Sequence, residues 1–396
     1  MERRGERRKD SMMLFEPFEF SGLRLKNRVV SVPVVSNLAT EDGFVTDNLV
    51  DRYLKIAEGG TGWIIIEDLV VISRKSPYNL RIWDDKFIPG LRRLAEAVHR
   101  VQGVKIGIQL GHFLKISMKG YRQTVEELTK EEIKQIIEDH LQAAIRAEKV
   151  GFDSIEWDAE SCMTLSQFLS RLNKRTDEYG GKLENRLRIV MEIYELTRKA
   201  LGKGFILGVR INGDDLVMGG NTLLHSAEIA KRLARAGIDY LSVSCGGQWV
   251  DALPPKPGEP PSAYTGYSGL RCWPRAWDPD GANVYLSEGI VKELRKAGYS
   301  VPVVTAGKIP MPGLAEEILQ EGKADLIGLG RPLLCDPDWV RKAIEGREDE
   351  IVKCIYCNHC SEVNDLFENT NCIQWPEGYV NAPSPFLPKQ KRKVRE

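Results

Sequence analysis

Cys354, Cys357, Cys360 and Cys372 are spaced C-x2-C-x2-C-x11-C, and thiolates at that density suit a soft metal. Three close sulfurs can grip one face of a 4Fe–4S cubane while a distant fourth closes it. Four thiolates also make a structural zinc site, but such sites usually pair two C-x2-C hooks, and the second hook is missing here. The spacing favours 4Fe–4S, with zinc as the competing reading. His359 is a spare donor, expected beside the metal and not on it. Cys162, Cys245, Cys272 and Cys335 are scattered and read as small buried thiols.

A second set of polar residues sits where packing alone would not ask for it. Gln109 ends an apolar run, and Arg210 interrupts the run from Ile206 to Ile211. A buried guanidinium must be paired. Its partner is either a carboxylate on a neighbouring strand or an anionic ring such as the N1–C2=O edge of reduced flavin. Gly307-Lys308 and Gly330-Arg331 each follow a later apolar run, where backbone N–H groups can hold a phosphate.

The elements that must position these groups are short β-branched runs, each followed by a longer helical pattern. They span 29–35, 63–67, 105–110, 154–157, 205–211, 240–244, 301–305 and 326–329. Near-continuous apolar runs are what a parallel sheet buried on both faces requires. The segment 221–236 places Ala227, Ile229, Ala230, Leu233 and Ala236 on one helical face, and Thr129 with Glu132 predicts a capping box opening a helix to about Val150. The fold class expected is α/β, a (β/α)8 TIM barrel with its active site at the C-terminal strand ends; an open doubly wound sheet is the alternative. The barrel is assigned to 14–345, a small iron–sulfur segment to 346–380, and flexible basic tails to 1–13 and 381–396. A Pro- and Gly-rich stretch at 253–283, carrying Tyr264, Tyr267, Trp273 and Trp277, reads as a lid or substrate wall, with a plain surface excursion as the alternative.

The 396 residues hold 56 Lys plus Arg against 56 Asp plus Glu. No net field therefore recruits nucleic acid or a membrane, and no apolar stretch is long enough to span one. Clustered cysteines without a disulfide framework predict a reducing cytoplasm.

Several motifs resemble the Old Yellow Enzyme family. They are Leu25-Lys26-Asn27-Arg28, Gln109-Leu110-x-His112, Leu128-Thr129-x-Glu131-Glu132-Ile133, Gly151-Phe152-Asp153, Gln167-Phe168-Leu169, and the block from Asn173-Lys174-Arg175-Thr176-Asp177-Glu178-Tyr179-Gly180-Gly181 to Glu184-Asn185-Arg186. Gly330-Arg331-Pro332 and Asp336-Pro337 complete the match over nearly all of 14–375. With the cysteines, the resemblance is to the iron–sulfur subgroup that includes 2,4-dienoyl-CoA reductase and trimethylamine dehydrogenase. It implies FMN in the barrel with a 4Fe–4S cluster beside it. Pro33, Val34, Val35, Glu67 and Asp68 would lie against the isoalloxazine, Gln109 at its pyrimidine edge and Arg210 at N1. Gly307, Lys308, Gly330 and Arg331 would hold the phosphate, and the four cysteines the cluster.

The departures fall at the substrate end. Where the family shows His-x-x-His/Asn-Gly-Tyr, this chain reads Asp158-Ala159-Glu160-Ser161-Cys162-Met163. Asp158 and Ser161 replace the two donors, and Met163 replaces the tyrosine that supplies a proton. Asp158 becomes the first acid/base candidate, with Glu160 and Tyr264 or Tyr267 behind it; the alternative is that Asp158 only orients the flavin or a buried donor. Val35 replaces the cysteine that binds flavin covalently in trimethylamine dehydrogenase, so the flavin is expected to be non-covalent. Only 15 residues separate His112 from Leu128, so that wall is expected to be open or rebuilt.

The leading expectation is an ene-reductase acting on enoyl- or dienoyl-CoA thioesters, or on conjugated acids or ketones. An amine dehydrogenase or demethylase is the second reading, and an electron-transfer subunit the third. No G-x-G-x-x-G follows a strand, and the chain ends soon after Cys372. A separate reductase subunit, electron-transfer flavoprotein or ferredoxin is therefore expected as partner, with the chain in an oligomer or complex.

Overall fold

Eight parallel strands close on themselves in this computed structural model, which describes residues 12–73, 77–117, 121–383 and 385. The clustered basic residues at both ends of the chain lie outside them. A short antiparallel hairpin, β1 (Phe18–Phe20) and β2 (Leu23–Leu25), comes first. The barrel follows as β3 (Val29–Ser31), β4 (Trp63–Val70), β5 (Lys105–Gly111), β6 (Ser154–Ala159), β7 (Ile206–Asn212), β8 (Tyr240–Ser244), β9 (Val303–Thr305) and β10 (Leu326–Leu329). β10 pairs back onto β3, Ile327 opposite Val29. That closing pair makes a TIM barrel and excludes the open sheet. All eight apolar runs are strands. The first is shorter than expected because Pro33 brings no N–H to the ladder, although the Val32 N–H still reaches Leu329 O at 3.2 Å.

Helices between the strands cover the outside, and their ends obey local capping chemistry. The helix Lys130–Val150 opens on the expected capping box, with Thr129 Oγ1 accepting from Glu132 N–H and Glu132 Oε2 accepting from Thr129 N–H. It stops at Gly151, whose φ of 98° is left-handed. Among the described residues no helix is long and apolar enough to cross a membrane.

A strand's period of two decides which side chains enter the barrel. Ile64, Ile108, Ile155, Leu207, Val209, Leu241 and Ile327 turn outward and pack under the helices. Val30, Trp63, Ile65, Ile206, Tyr240, Val304 and Leu326 turn inward, and Phe20, Leu23 and Leu25 of the hairpin plug the floor they form. The Trp63 and Tyr240 rings meet edge to face at 4.7 Å. Gly208 is required there: a Cβ would fall 2.1 Å from the Tyr240 ring.

Beyond β10 the chain returns across the barrel top. Thr370 N–H donates to Ser36 O at 2.8 Å and its hydroxyl to Val35 O at 2.8 Å. Arg52, on the helix Asp47–Glu58, binds Thr370 O, Val380 O and the Asn381 side chain. Asn381 and Met13, from stretches expected to be tails, are thus tied down, Met13 through Glu316. Emptying the floor tests its weight: Trp63→Ala is expected to cost about 3–5 kcal/mol, read as a lower urea midpoint at unchanged slope.

Candidate active site

The inward positions at the C-terminal half of the barrel are polar. Gln109 on β5, Glu156 and Asp158 on β6, and Arg210 on β7 follow in register, Gln109 opposite Glu156 and Asp158 opposite Arg210. On β4 simple alternation would turn Glu67 inward. The register shifts between Ile66 and Asp68, and this bulge exchanges the two acids. Glu67 faces out to Ser36 Oγ (2.6 Å) and the Tyr53 hydroxyl (3.2 Å), so its expected place against a flavin is not observed. Asp68 turns into the barrel beside Gly111, where a Cβ would fall 1.9 Å from its Oδ1.

These groups open onto a cavity of about 340 Å³, in the range of small-molecule and cofactor sites. Pro33, Val34, Val35, Asp68, Gln109, Asp158, Glu160, Arg210, Gly307, Lys308, Gly330 and Arg331 all line it. Ser161 does not. It lies behind the wall at φ 48°, its hydroxyl donating to Glu160 Oε2 at 2.5 Å. Of the two tyrosines, Tyr264 lines the cavity, whereas Tyr267 is exposed on the surface. The 253–283 stretch contributes Pro260 to Tyr264, Cys272 and Trp273 to the wall. Cys162 and Cys272, read from sequence as scattered core thiols, are wall residues too.

Charge is concentrated here. Arg210 Nε stands 3.8 Å from Glu160 Oε1, too far for a hydrogen bond, and no described residue accepts from it. Burial works against the guanidinium charge, but Glu160, Glu156 and Asp158 outweigh it and hold the arginine protonated. The carboxyls respond in the opposite sense. Burial, then the charges of Glu67 and Glu160, pushes Asp68 up to about 7. Burial, Glu160 and Asp68 push Asp158 well above the ordinary carboxylate range. Burial also raises Glu156 to about 7, although Arg210 and the Gln109 amide, 3.0 Å away, oppose it. At neutral pH this group carries protons that exposed carboxylates would have lost. Asp68 Oδ1 is buried without a hydrogen-bond partner among the described residues.

The two cations expected at a phosphate are held from behind. Lys308 Nζ donates to Ala276 O (2.9 Å) and Asp278 O. Arg331 donates to Pro274 O (2.6 Å) and Asn358 Oδ1 and lies 4.7 Å over the Tyr356 ring.

Cys354, Cys357, Cys360 and Cys372 line one small pocket of about 20 Å³ with His359 and Asn371. Among the described residues no three His, Cys, Asp or Glu side chains form a single-ion group. Cys360 and Arg331 also line the main cavity, as do Tyr356, Asn364, Asp365 and Phe367 from the same segment. The cysteine segment is therefore a wall of the active-site cavity. The family resemblance implied that this segment lies beside the site, but no local sequence pattern reports the contact between residues 33–37 and 364–370 that builds the wall.

Comparison with known proteins gives the same frame. The family model described as NADH:flavin oxidoreductase / NADH oxidase matches residues 13–268 and 272–350. An NADH oxidase from Thermoanaerobacter brockii is 37% identical over 90% of this chain and 54% of its own length. Among solved structures, a 2-naphthoyl-CoA reductase superposes with TM-score 0.79 at 26% identity, covering 91% of this chain and 56% of the other. Histamine dehydrogenase from Rhizobium sp. 4-9 gives 0.76 at 28%, covering 93% and 52%. The chain spans about half the length of these relatives.

The protonated Asp68 makes a stability prediction. A carboxyl raised from 3.8 to about 7 is neutral in the fold but ionised in the unfolded chain between those values, so its contribution falls as pH rises through that window. Asp68→Asn cannot ionise. Its stability relative to the wild type is expected to grow from pH 5 to 7, by at most about 1.4 kcal/mol per pH unit, and to level off above. Denaturant melts at three pH values check this, and a gap independent of pH would contradict it.

Proposed function

The chain belongs to the NADH:flavin oxidoreductase / NADH oxidase family, and on that premise we propose that it reduces a C=C conjugated to a carbonyl, with FMN in the barrel cavity and a 4Fe–4S cluster on the four cysteines. Bound FMN supplies hydride and electron chemistry there. The chain's own residues would do the rest. Pro33, Val34 and Val35 form an apolar face for a ring system. Asp68, Gln109 and Arg210 meet its polar edge, and Asp68 Oδ1 and Arg210 Nε have no hydrogen-bond partner among the described residues. Arg210 supplies fixed positive charge where negative charge develops. The turns at Gly307-Lys308 and Gly330-Arg331 present backbone N–H groups to a phosphate.

What carries the reading is a buried carboxyl on the cavity wall, Asp158, which burial, Glu160 and Asp68 push well above the ordinary carboxylate range. Asp158 Oδ1 accepts from Glu160 N–H at 3.2 Å, which leaves Oδ2 to hold the proton and deliver it to the substrate carbon. Tyr264, kept neutral first by burial and then by nearby thiol and carboxyl groups, is the second donor. Ser161 acts through Glu160 by fixing its carboxylate. Oxidation of an amine is the second reading, favoured by Glu160 on the same wall and by the likeness to histamine dehydrogenase.

Support for the cluster is that all four thiols line one pocket and that Cys360 lines both spaces. Cys357 is exposed, so electrons would pass at that edge to a carrier protein, a reductase subunit or a further module.

Protein purified under argon is expected to contain flavin with about four irons and four sulfides per chain; zinc without iron would remove the cluster. Reoxidation of dithionite-reduced protein by an enone or enoyl-CoA supports the reductase, and bleaching of oxidised protein by a methylamine supports the alternative. Asp158→Asn should slow enone reduction at least ~10²-fold. Unchanged turnover takes Asp158 out of the mechanism.

A further inference from the structure

A second chamber of about 130 Å³ lies on the side where 15 residues connect His112 to Leu128. Phe113, Cys162, Met163 and Trp249 line both it and the main cavity, so the two spaces share a wall. Leu114 and Ile116 close it from a short hairpin in which Ile116 pairs with Arg122. Its glutamines are spent on backbone, Gln167 donating to Cys162 O at 2.9 Å and Gln123 Oε1 accepting from Lys115 N–H at 3.3 Å. Among the described residues Arg122 is the charged side chain on its lining. That guanidinium donates to Trp249 O at 2.5 Å and stands 5.3 Å from the Trp249 ring. One of its five N–H donors is used in that bond, and the residue is exposed.

We propose that this chamber is a subsite for the apolar arm of the substrate, with Arg122 at its rim binding a carboxylate at the far end of that arm. Charge decides the orientation. Among the described residues the chamber's lining carries one charged side chain, Arg122, exposed at its rim, so the anionic terminus of an arm entering from the main cavity belongs there. Volume decides the length: at roughly 30 Å³ per water-sized group, the chamber takes about four methylenes. The substrate class is a conjugated carbonyl carrying an apolar arm of about four carbons that ends in a carboxylate. The identity of the carbonyl head rests on the reductase reading, whereas the arm and its anion do not.

Saturated keto acids, CH3–CO–(CH2)n–COO⁻, separate the two because they hold no C=C to reduce. Calorimetric titration into oxidised holoprotein should show affinity rising roughly three- to fourfold per methylene until the chamber is full, then levelling. Methyl esters should bind at least ~5-fold more weakly than the acids, a difference that Arg122→Gln abolishes. Leu114→Trp, or Ile116→Trp on the exposed face of the hairpin if the first variant does not fold, should flatten the series and leave the shortest acid unchanged. A flat series in the wild type, equal binding of acid and ester, or a chain-length dependence that survives in a folded filled variant overturns the subsite. If the series behaves as expected but short enones fail to reoxidise the reduced protein, the reductase reading falls and the subsite stands.

Discussion

A full positive charge inside a closed barrel is the constraint around which this molecule is arranged. Arg210 projects from β7 where its neighbours could all have been aliphatic, and a lone buried guanidinium would be strongly destabilising. Its balance comes foremost from Glu160, just past the end of β6, the largest of the charges that oppose its loss of the proton. The carboxyls outnumber the cation, and like charges in low dielectric cannot all ionise. The surplus is resolved by protonation of Asp68, Asp158 and Glu156. Arg210 opposes that protonation at Glu156 and Asp158, but burial and the neighbouring acids outweigh it, and neutral acids on a cavity wall are proton donors.

The same site depends on the chain beyond the barrel. Residues 34–37 leave β3 without strand pairing, and a loop there would have no fixed position by itself. The cysteine segment supplies the missing bonds. Asn364 and Thr370 donate to Val35 O, and Asn37 donates to Asn364 O and Glu368 O. The segment is anchored by Arg52 on one side and by the buried Lys342–Asp336 pair on the other, where Asp336 also accepts from Val352 N–H. Removing either member of such a pair leaves an unpaired buried charge. The wall against which a flavin ring would rest and the segment that carries the thiols are consequently one mechanical unit.

The barrel was legible because parallel strands buried on both faces must be written as apolar runs. Gln109 and Arg210 were visible for the same reason, as polar interruptions in those runs. The β4 bulge was not. A one-residue slip exchanges the faces of Glu67 and Asp68, and nothing in the local sequence signals it, so both acids were placed against the ring when only Asp68 turns inward. The hairpin β1–β2 escaped because three-residue strands are too short for alternation to show. Ser161 was placed as a donor by its spacing within the Asp158–Met163 stretch. Its left-handed backbone, closely packed against Gly247, turns it instead onto Glu160. The wall formed by Tyr356, Asn364 and Phe367 is a tertiary contact between distant segments, to which periodicity is blind.

The departure from the family's His, His and Tyr pattern looks at first like lost chemistry. The physical comparison says otherwise. A phenol titrates near 10 and gives up its proton reluctantly at neutral pH. A carboxyl pushed up toward neutrality is still protonated there yet is a much stronger acid, close to the match that efficient proton transfer favours. Burial, and then Glu160, pushes Asp158 well above the ordinary carboxylate range without any aromatic donor. An ionised carboxylate at the same place would instead suit a cation. Whether the wall serves reduction of a neutral carbonyl compound or oxidation of an amine thus turns on one proton. The crowding of acids around Arg210 is what keeps that proton in place.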